Sequence, residues 1–261
     1  MTYTENVPAP GLEDYVDAYW VRHMDAGARR VYADGCADIF MNVGDAPAYF
    51  YPTARLDEGL PLEPGRLYLG GTMSAYGVVR CEEGCAFRGI RFRPGGLFAL
   101  YSLSMEETVD QVLVFPDAEL RERLADTSAL DAYLLAKRGD RRHDFASISR
   151  VAYAAGGNLS VEDLCRACHL APRTLERVFK ENVGIPPKEF LKVLRFQEAL
   201  RRLRIQARAH DPGERSLLRL AFELGYYDHA HLTNEFKKYA GIRPSDLSRF
   251  YKTGISDGQY F

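Results

Sequence analysis

The chain has 261 residues, 46% hydrophobic and 27% charged, which is ordinary globular composition and enough for two domains with separate cores. Residues 1–146 carry 15 Lys and Arg against 23 Asp and Glu, a net charge of −8, whereas residues 147–261 carry 19 against 13, a net charge of +6. This asymmetry indicates that the second half meets a polyanion. Because the N-terminus lacks the pattern of a secretory signal and no apolar run reaches membrane-spanning length, we expect a cytoplasmic protein.

The first half predicts a β-rich domain over residues 1–125. Short segments with aromatic and β-branched residues, separated by Gly, Pro or Asp, predict the strands AYWVRH, RRVYA, ADIFMNV, AYFY, RLYLGG, AYGVVRC and CAFRGIRF. So many short strands are typical of a barrel or sandwich with room for a cavity. Aromatic residues that could line such an effector pocket, or simply pack in the core, are Trp20, Tyr32, Phe40, Tyr49 and Phe92.

Helical patterns follow the predicted strands. LFALYSL, DAELRERLAD and ALDAYLLAKR predict three helices, and we assign residues 126–146 to a helical linker between the halves. Residues 147–255 then predict an all-α domain, and residues 256–261 a tail. The overall fold class is therefore α+β.

The stretch CRACHLAPRTLERVF (165–179) opens with the C-x-x-C-H spacing of haem attachment. Cys165 and Cys168 lie three residues apart in a helical pattern, however, so both fall on its apolar side as small buried hydrophobes. Pro172 then starts a second helix with a polar outward face. Helix, short turn and second helix predict a helix-turn-helix unit and no bound cofactor.

The unit repeats. LERVFKENVGIPPKEF (175–190) aligns with LTNEFKKYAGIRPSDL (232–247) at an offset of 57, and Gly225 takes the place of His169. Between the units, residues 187–208 have helical periodicity and form a rod of about 33 Å. One turn of B-DNA is about 34 Å, so this rod could place two recognition helices in successive major grooves.

These residues carry a resemblance to a known family. LAFELGYYDHAHLTNEFKKYAGIRPSDL (220–247) is similar to the second helix-turn-helix signature of the AraC/XylS family of bacterial transcriptional regulators, and the first unit matches from Leu164 to Pro187. The resemblance implies DNA binding, with a cupin-like N-terminal domain that binds a small-molecule effector or mediates dimerisation. Double-stranded promoter or operator DNA is the implied partner, and RNA polymerase and a second copy of the chain are further candidates. Asn234 and His229 depart from the residues common in the family, so the preferred DNA sequence is left open.

Polar positions on the outward faces supply the predicted DNA contacts. Arginine suits guanine, asparagine suits adenine and glutamate can accept from cytosine. The predicted base-reading residues are Arg173, Thr174, Glu176, Arg177 and Lys180 in the first unit, and His229, Ala230, Thr233, Asn234 and Lys237 in the second. Predicted phosphate contacts are Ser160 and Ser216, at the starts of helices, and Arg201 and Arg202 on the rod, which could equally be a solvated basic end.

Two other classes of function are weighed against this one. Cys36, Cys81 and Cys85 could bind a soft metal or sense oxidants, although we favour the interpretation that they are three unrelated cysteines in a β domain. An enzyme is disfavoured, because the sequence has no phosphate-binding loop, no G-x-S-x-G and no H-E-x-x-H, and within residues 1–142 only His23 is a histidine. We therefore predict no catalytic residues and no metal.

Overall fold

The computed structural model describes residues 2–53, 57–138, 144–208 and 214–247. Within these ranges the strands are β1 (Thr2–Asn6), β2 (Val16–His23), β3 (Gly27–Val31), β4 (Ala37–Asn42), β5 (Ala48–Pro52), β6 (Leu60–Leu62), β7 (Leu67–Gly70), β8 (Gly77–Cys81), β9 (Ala86–Phe92) and β10 (Val112–Val114). They form an antiparallel six-stranded sheet in the order β1-β2-β9-β4-β7-β10 and a four-stranded sheet in the order β3-β8-β5-β6.

The two sheets pack face to face as a sandwich, and the alternation of side chains along each strand explains why. On β4, Phe40 points between the sheets and packs with Tyr68 and Phe87, whereas Ile39 points to the opposite face. The six-stranded sheet is therefore buried on both faces. Of the two forms predicted from the sequence, barrel or sandwich, the structure has the sandwich.

Three helices cover the outer face of the six-stranded sheet: α1 (Gly96–Tyr101), α2 (Ala118–Arg123) and α3 (Thr127–Arg138). A 3-10 turn at Glu106–Thr108 lies between α1 and β10. Leu130 and Leu134 of α3 are buried in the same cluster as Ile39, so this part of the predicted linker packs on the N-terminal domain. The domain boundaries otherwise stay a prediction, and residues 139–143 and 248–261, including the predicted tail, lie outside the described residues.

The C-terminal half is helical: α4 (Phe145–Ala154), α5 (Val161–Cys168), α6 (Pro172–Val183), α7 (Pro187–Arg208), α8 (Glu214–Glu223) and α9 (His229–Ala240). The pairs α5–α6 and α8–α9 form the two predicted helix-turn-helix units, joined by α7 over the predicted residues 187–208. Cys165 is buried in the core of the first unit and Cys168 packs against it, which confirms their interpretation as core residues. The predicted α+β class is confirmed.

The two halves share a hydrophobic core. Tyr32 and Ala33, from the loop between β3 and β4, are buried in the cluster formed by the C-terminal helices. The Ala33 amide donates to the Tyr239 carbonyl at 3.1 Å, and the Gln197 side chain donates to the Ala33 carbonyl. The loop is therefore held between α7 and α9.

Candidate nucleic-acid interface and ligand cavity

The first candidate recognition helix, α6, separates an apolar face from a polar one. Proline at the first position starts the helix, and Gly184, with a positive φ of 86°, ends it. Leu175, Phe179 and Val183 are buried. Of the predicted base-reading residues on the other face, Arg173, Arg177 and Lys180 are exposed, and Thr174 and Glu176 are half-buried.

The exposed cationic side chains of α6 differ in whether they already have an ion-pair partner. Arg177 donates to both carboxylate oxygens of Glu181 at 3.0 Å, and the Lys180 ammonium lies 3.1 Å from the Glu106 carboxylate of the N-terminal domain. Arg173 has no ion-pair or hydrogen-bond partner for its side chain among the described residues. Arg173 can therefore reach a polyanion without breaking a contact, whereas Lys180 must leave Glu106.

The second candidate recognition helix, α9, is built in the same way. The Asp228 side chain caps it by accepting from the His231 amide at 2.7 Å. Leu232 and Phe236 are fully buried. The predicted contacts His229, Ala230, Asn234 and Lys237 are exposed, and Thr233 is half-buried.

A buried ion pair fixes α9 on the connecting helix. Arg195 of α7 donates to Glu235 of α9 at 2.8 Å, and the two side chains are only 14% and 7% exposed. The Arg195 guanidinium also stacks 4.5 Å from the centre of the Tyr226 ring. His231 Nε2 lies 3.3 Å from the same Glu235 oxygen. These contacts set the direction in which α9 presents its outward face.

The predicted phosphate contacts are less available than the recognition faces. Ser160 and Asp163 form a reciprocal capping box, which places a carboxylate at the start of α5, where a phosphate would have to approach. Arg201 and Arg202 both donate to Glu198 at 2.7 Å, and Arg202 also lies 3.4 Å from Glu223. Ser216 falls in α8, but its side chain lies outside the described residues. All four phosphate contacts stay predictions.

One exposed residue beside the second candidate recognition helix was not predicted from the sequence. Tyr227, in the turn before α9, is 86% exposed, the largest exposure among the described large hydrophobic residues. The sequence feature that could have indicated it is its position, directly before the capping Asp228.

The turns of the two units have the same backbone conformation at one place. His169 in the first unit has a φ of 54°, and Gly225 at the aligned place in the second has a φ of 73°. The two turns therefore share a left-handed residue, as the repeat predicts.

A cavity lies between the two sheets of the N-terminal domain. Its volume is about 40 Å³, which is room for about three waters. Its walls are largely apolar, and the acidic residues Asp34 and Asp38 line one part of it together with Cys36. The apolar wall includes Val31, Phe40, Phe50, Leu62, Val79 and Val112.

The structure brings two of the five aromatic residues predicted for an effector pocket to this cavity. Tyr32 and Phe40 line it, whereas Trp20, Tyr49 and Phe92 do not. Phe92 points to the other face of the six-stranded sheet, into the cluster under the helices. Tyr49 alternates with cavity-lining Phe50 and so lies on the outer face of the four-stranded sheet. Trp20 is buried beside the cavity, where its Nε1 donates to Asp38 at 2.8 Å.

Burial dominates the electrostatics at the acidic part of the cavity. It raises the pKa of Asp38 to about 6 and also raises the pKa of Asp34, while the nearby Arg91 guanidinium opposes both shifts. Arg91 lies 3.6 Å from an oxygen of each carboxyl group. These separations are longer than the 2.7–2.9 Å or so typical of a charge-assisted hydrogen bond, so Arg91 only partly compensates the two acids.

The cysteine alternative finds no support. Cys81 and Cys85 are close together at one end of β9, but Cys36 precedes β4 at the other end, about 20 Å away along six residues of strand. Burial raises the pKa of Cys81 to about 12 and also raises the pKa of Cys36, which disfavours reactive thiolates. Across the described part of the chain, no three potential ligands among His, Cys, Asp and Glu come together as a metal site.

Comparisons with known proteins place these features in two regions. Residues 164–249 match a family model described as a helix-turn-helix domain, and residues 4–114 match a domain of unknown function, DUF6597. A curated relative, an uncharacterized HTH-type transcriptional regulator from Haemophilus influenzae, is 29% identical over 89 residues, 34% of this chain. The match spans only 28% of that relative's length.

The fold is also similar to solved structures. A structure of ToxT from Vibrio cholerae superposes with a TM-score of 0.53 at 12% identity, covering 95% of this chain and 98% of that one. ToxT with a bound unsaturated fatty acid superposes with a TM-score of 0.51 at 12% identity, covering 91% and 96%. At this identity the likeness shows the shared fold.

No helix in the described ranges is both long and apolar enough to cross a membrane.

Proposed function

We propose that the chain is a transcriptional regulator of the AraC family, which binds promoter DNA through α6 and α9 under the control of a small molecule in the N-terminal cavity. The observation that carries the proposal is the pair of exposed polar faces on α6 and α9. They are joined by the 22 residues of α7, a rod of about 33 Å, close to one turn of B-DNA.

The chemistry of the two faces suits base reading. Arg173 and Arg177 can each donate two hydrogen bonds to a guanine edge, and Asn234 can pair with adenine. The Arg177–Glu181 contact is an exposed pair within one helix, worth less than about 1 kcal/mol, so a base edge can replace it. Specific readout by both helices is therefore chemically available.

The loop 32–36 supplies a route from the cavity to the DNA-binding half. Tyr32 and Asp34 line the cavity, while Ala33 between them bonds to Tyr239 and Gln197 on α9 and α7. A ligand that displaces this loop would shift the contact between α7 and α9, and with it the relative placement of the recognition helices. The ligand-bound ToxT structure supports a small-molecule effector in a protein of this fold.

We infer no catalytic reaction for this chain, since its family and fold are those of transcription regulators. A protein that acts on the chromosome of a bacterium works in the cytoplasm. A homodimer and a contact with RNA polymerase remain proposals, and dimerisation would be tested by sedimentation of the full chain.

The test of DNA binding is its dependence on salt. We expect the full chain to bind a duplex of random sequence with an affinity that falls linearly on a log–log plot against salt concentration. The double variant Arg173→Ala/Lys237→Ala should weaken binding and flatten that slope by about two units, because each cation removed releases about one fewer counterion.

The matched control is Arg66→Ala, which removes an exposed arginine of the N-terminal domain that pairs with Glu63. It should leave both the affinity and the slope unchanged. A slope near zero, or a double variant that binds like the control, would contradict the proposed interface.

A further inference from the structure

The acidic part of the cavity has more negative than positive groups. Asp34 and Asp38 both line the cavity, whereas Arg91 contacts them from β9 without lining it. With both carboxyl groups ionised, one guanidinium faces two carboxylates. Among the described residues that line the cavity, none is Lys, Arg or His.

One carboxylate oxygen there lacks a donor. Asp38 is only 8% exposed, and its Oδ1 takes both the Trp20 hydrogen bond and the Arg91 contact. Its Oδ2 has no hydrogen-bond partner within the described part of the chain. Oδ2 does not count among the buried polar atoms that lack a partner, so it is accessible from the cavity, where an N–H or O–H group can donate to it.

The neighbouring walls are apolar. An anion entering the cavity would lose its hydration and face two carboxyl groups, so carboxylates and phosphates are disfavoured. A ligand with a charged N–H group at one end and a short hydrocarbon body would match both parts of the lining. The space available, room for about three waters, limits that ligand to a few heavy atoms unless side chains move.

We propose that this cavity binds a small organic cation, a protonated amine or amidinium with a short apolar body, whose N–H group donates to Asp38 Oδ2 and whose charge is balanced by Asp34 and Asp38. The proposal rests on the proposed function in taking this cavity as the effector site. The occupancy of the cavity and its effect on DNA are nevertheless separate measurements.

Binding of such a cation is coupled to a proton. The cation requires ionised Asp38, so affinity rises as pH rises through about 6, the pKa to which burial raises this group, and levels off above it. The charged and titratable groups that act on Asp38 are Asp17 on β2, Asp34 and Cys36 in the β3–β4 loop, and Arg91 on β9. Tyr153 of α4 faces Asp34 and Cys36.

The experiment compares three probes of one shape with different heads: propylammonium, propanol and propanoate. Each is titrated into the full chain without DNA, followed by the fluorescence of Trp20, the only tryptophan, which hydrogen-bonds to Asp38. We expect propylammonium to bind most tightly, with an affinity that increases from pH 5 to pH 7. Propanol should show no such pH dependence.

Two variants locate the site. Asp38→Asn keeps an acceptor for Trp20 and should weaken propylammonium binding about tenfold or more, the value of a hydrogen bond to a charged group. Asp34→Asn should weaken it as well. Asp45→Asn is the control, because Asp45 is exposed in the turn between β4 and β5 and does not line the cavity. It should change affinity less than about twofold.

Three results would overturn the proposal: no binding of any probe, propanol or propanoate binding as tightly as propylammonium, or unchanged amine affinity in both cavity variants. Because these measurements contain no DNA, loss of DNA binding by the chain leaves them intact. Amine binding that leaves DNA affinity unchanged would refute the proposed control by the cavity, not the nature of its ligand.

Discussion

Replacing Arg195 by methionine should be among the most destabilising single changes in the DNA-binding half. Within the described ranges, the side chain that would still contact Glu235, at 7% side-chain exposure, is His231, whose Nε2 lies 3.3 Å from it. Removing one partner of a buried ion pair costs about 3–5 kcal/mol. Arg195 is itself 14% exposed and His231 remains, which favours the lower end, and loss of the stacking on Tyr226 adds up to about 1 kcal/mol. We expect a loss of about 3–4 kcal/mol in the free energy of unfolding.

Urea unfolding of the full chain measures this loss, with far-ultraviolet circular dichroism reporting on the helices. With a slope of about 3 kcal/mol per molar urea, the midpoint should fall by about 1 M. The control is Arg219→Met, which breaks an exposed pair with Glu223 on α8, where the arginine side chain is 82% exposed, and should cost less than about 1 kcal/mol.

The double variant Arg195→Met/Glu235→Met tests the cause. Because it removes both charges, it should recover most of the stability lost in Arg195→Met. If Arg195→Met unfolds at the same urea concentration as Arg219→Met, or if the double variant is no more stable than the single one, the reasoning from an uncompensated buried carboxylate is refuted.

Three further outcomes are expected. Burial raises the pKa of Asp38 from 3.8 to about 6, so wild type should lose about 2 kcal/mol of unfolding free energy between pH 4 and pH 7 relative to Asp38→Asn, and a parallel pH profile would contradict this. Gly157→Ala should destabilise more than Gly65→Ala in thermal unfolding: both have positive φ, but only the new Cβ at 157 would lie 2.2 Å from a carbonyl oxygen. Glu106→Gln should tighten DNA binding up to about fivefold in anisotropy titrations by releasing Lys180, and unchanged affinity would argue against that contact.

The helical half could be predicted from the sequence because its signals are local. Proline at the start of α6 and glycine after its end each act within a few residues, and the repeat at an offset of 57 extends the same prediction to the second unit. They gave the bounds of α7 and the aligned left-handed turns at His169 and Gly225. Three strands were missed for an equally local reason: Thr2–Asn6 is polar and mostly exposed, and Leu60–Leu62 and Val112–Val114 have only three residues each.

The cavity and the domain contact could not be predicted in the same way. Asp38 meets Arg91, and Ala33 meets Tyr239, only through pairings between distant segments that no local pattern records. The prediction that Phe92 lines a pocket shows the same limit. Its type suits a pocket, but its face of the sheet depends on strand register, and a one-residue difference reverses the face.

The measurement that tests the account most directly is selection of bound sequences from a randomised duplex library by the full chain, repeated with Arg173→Ala and with Asn234→Ala. Two helices held by α7 should select two blocks of preferred bases whose centres are about 10 base pairs apart. Arg173→Ala should relax preference in one block only and Asn234→Ala in the other only. A single block, or two variants that alter the same base, would contradict readout of successive major grooves by α6 and α9.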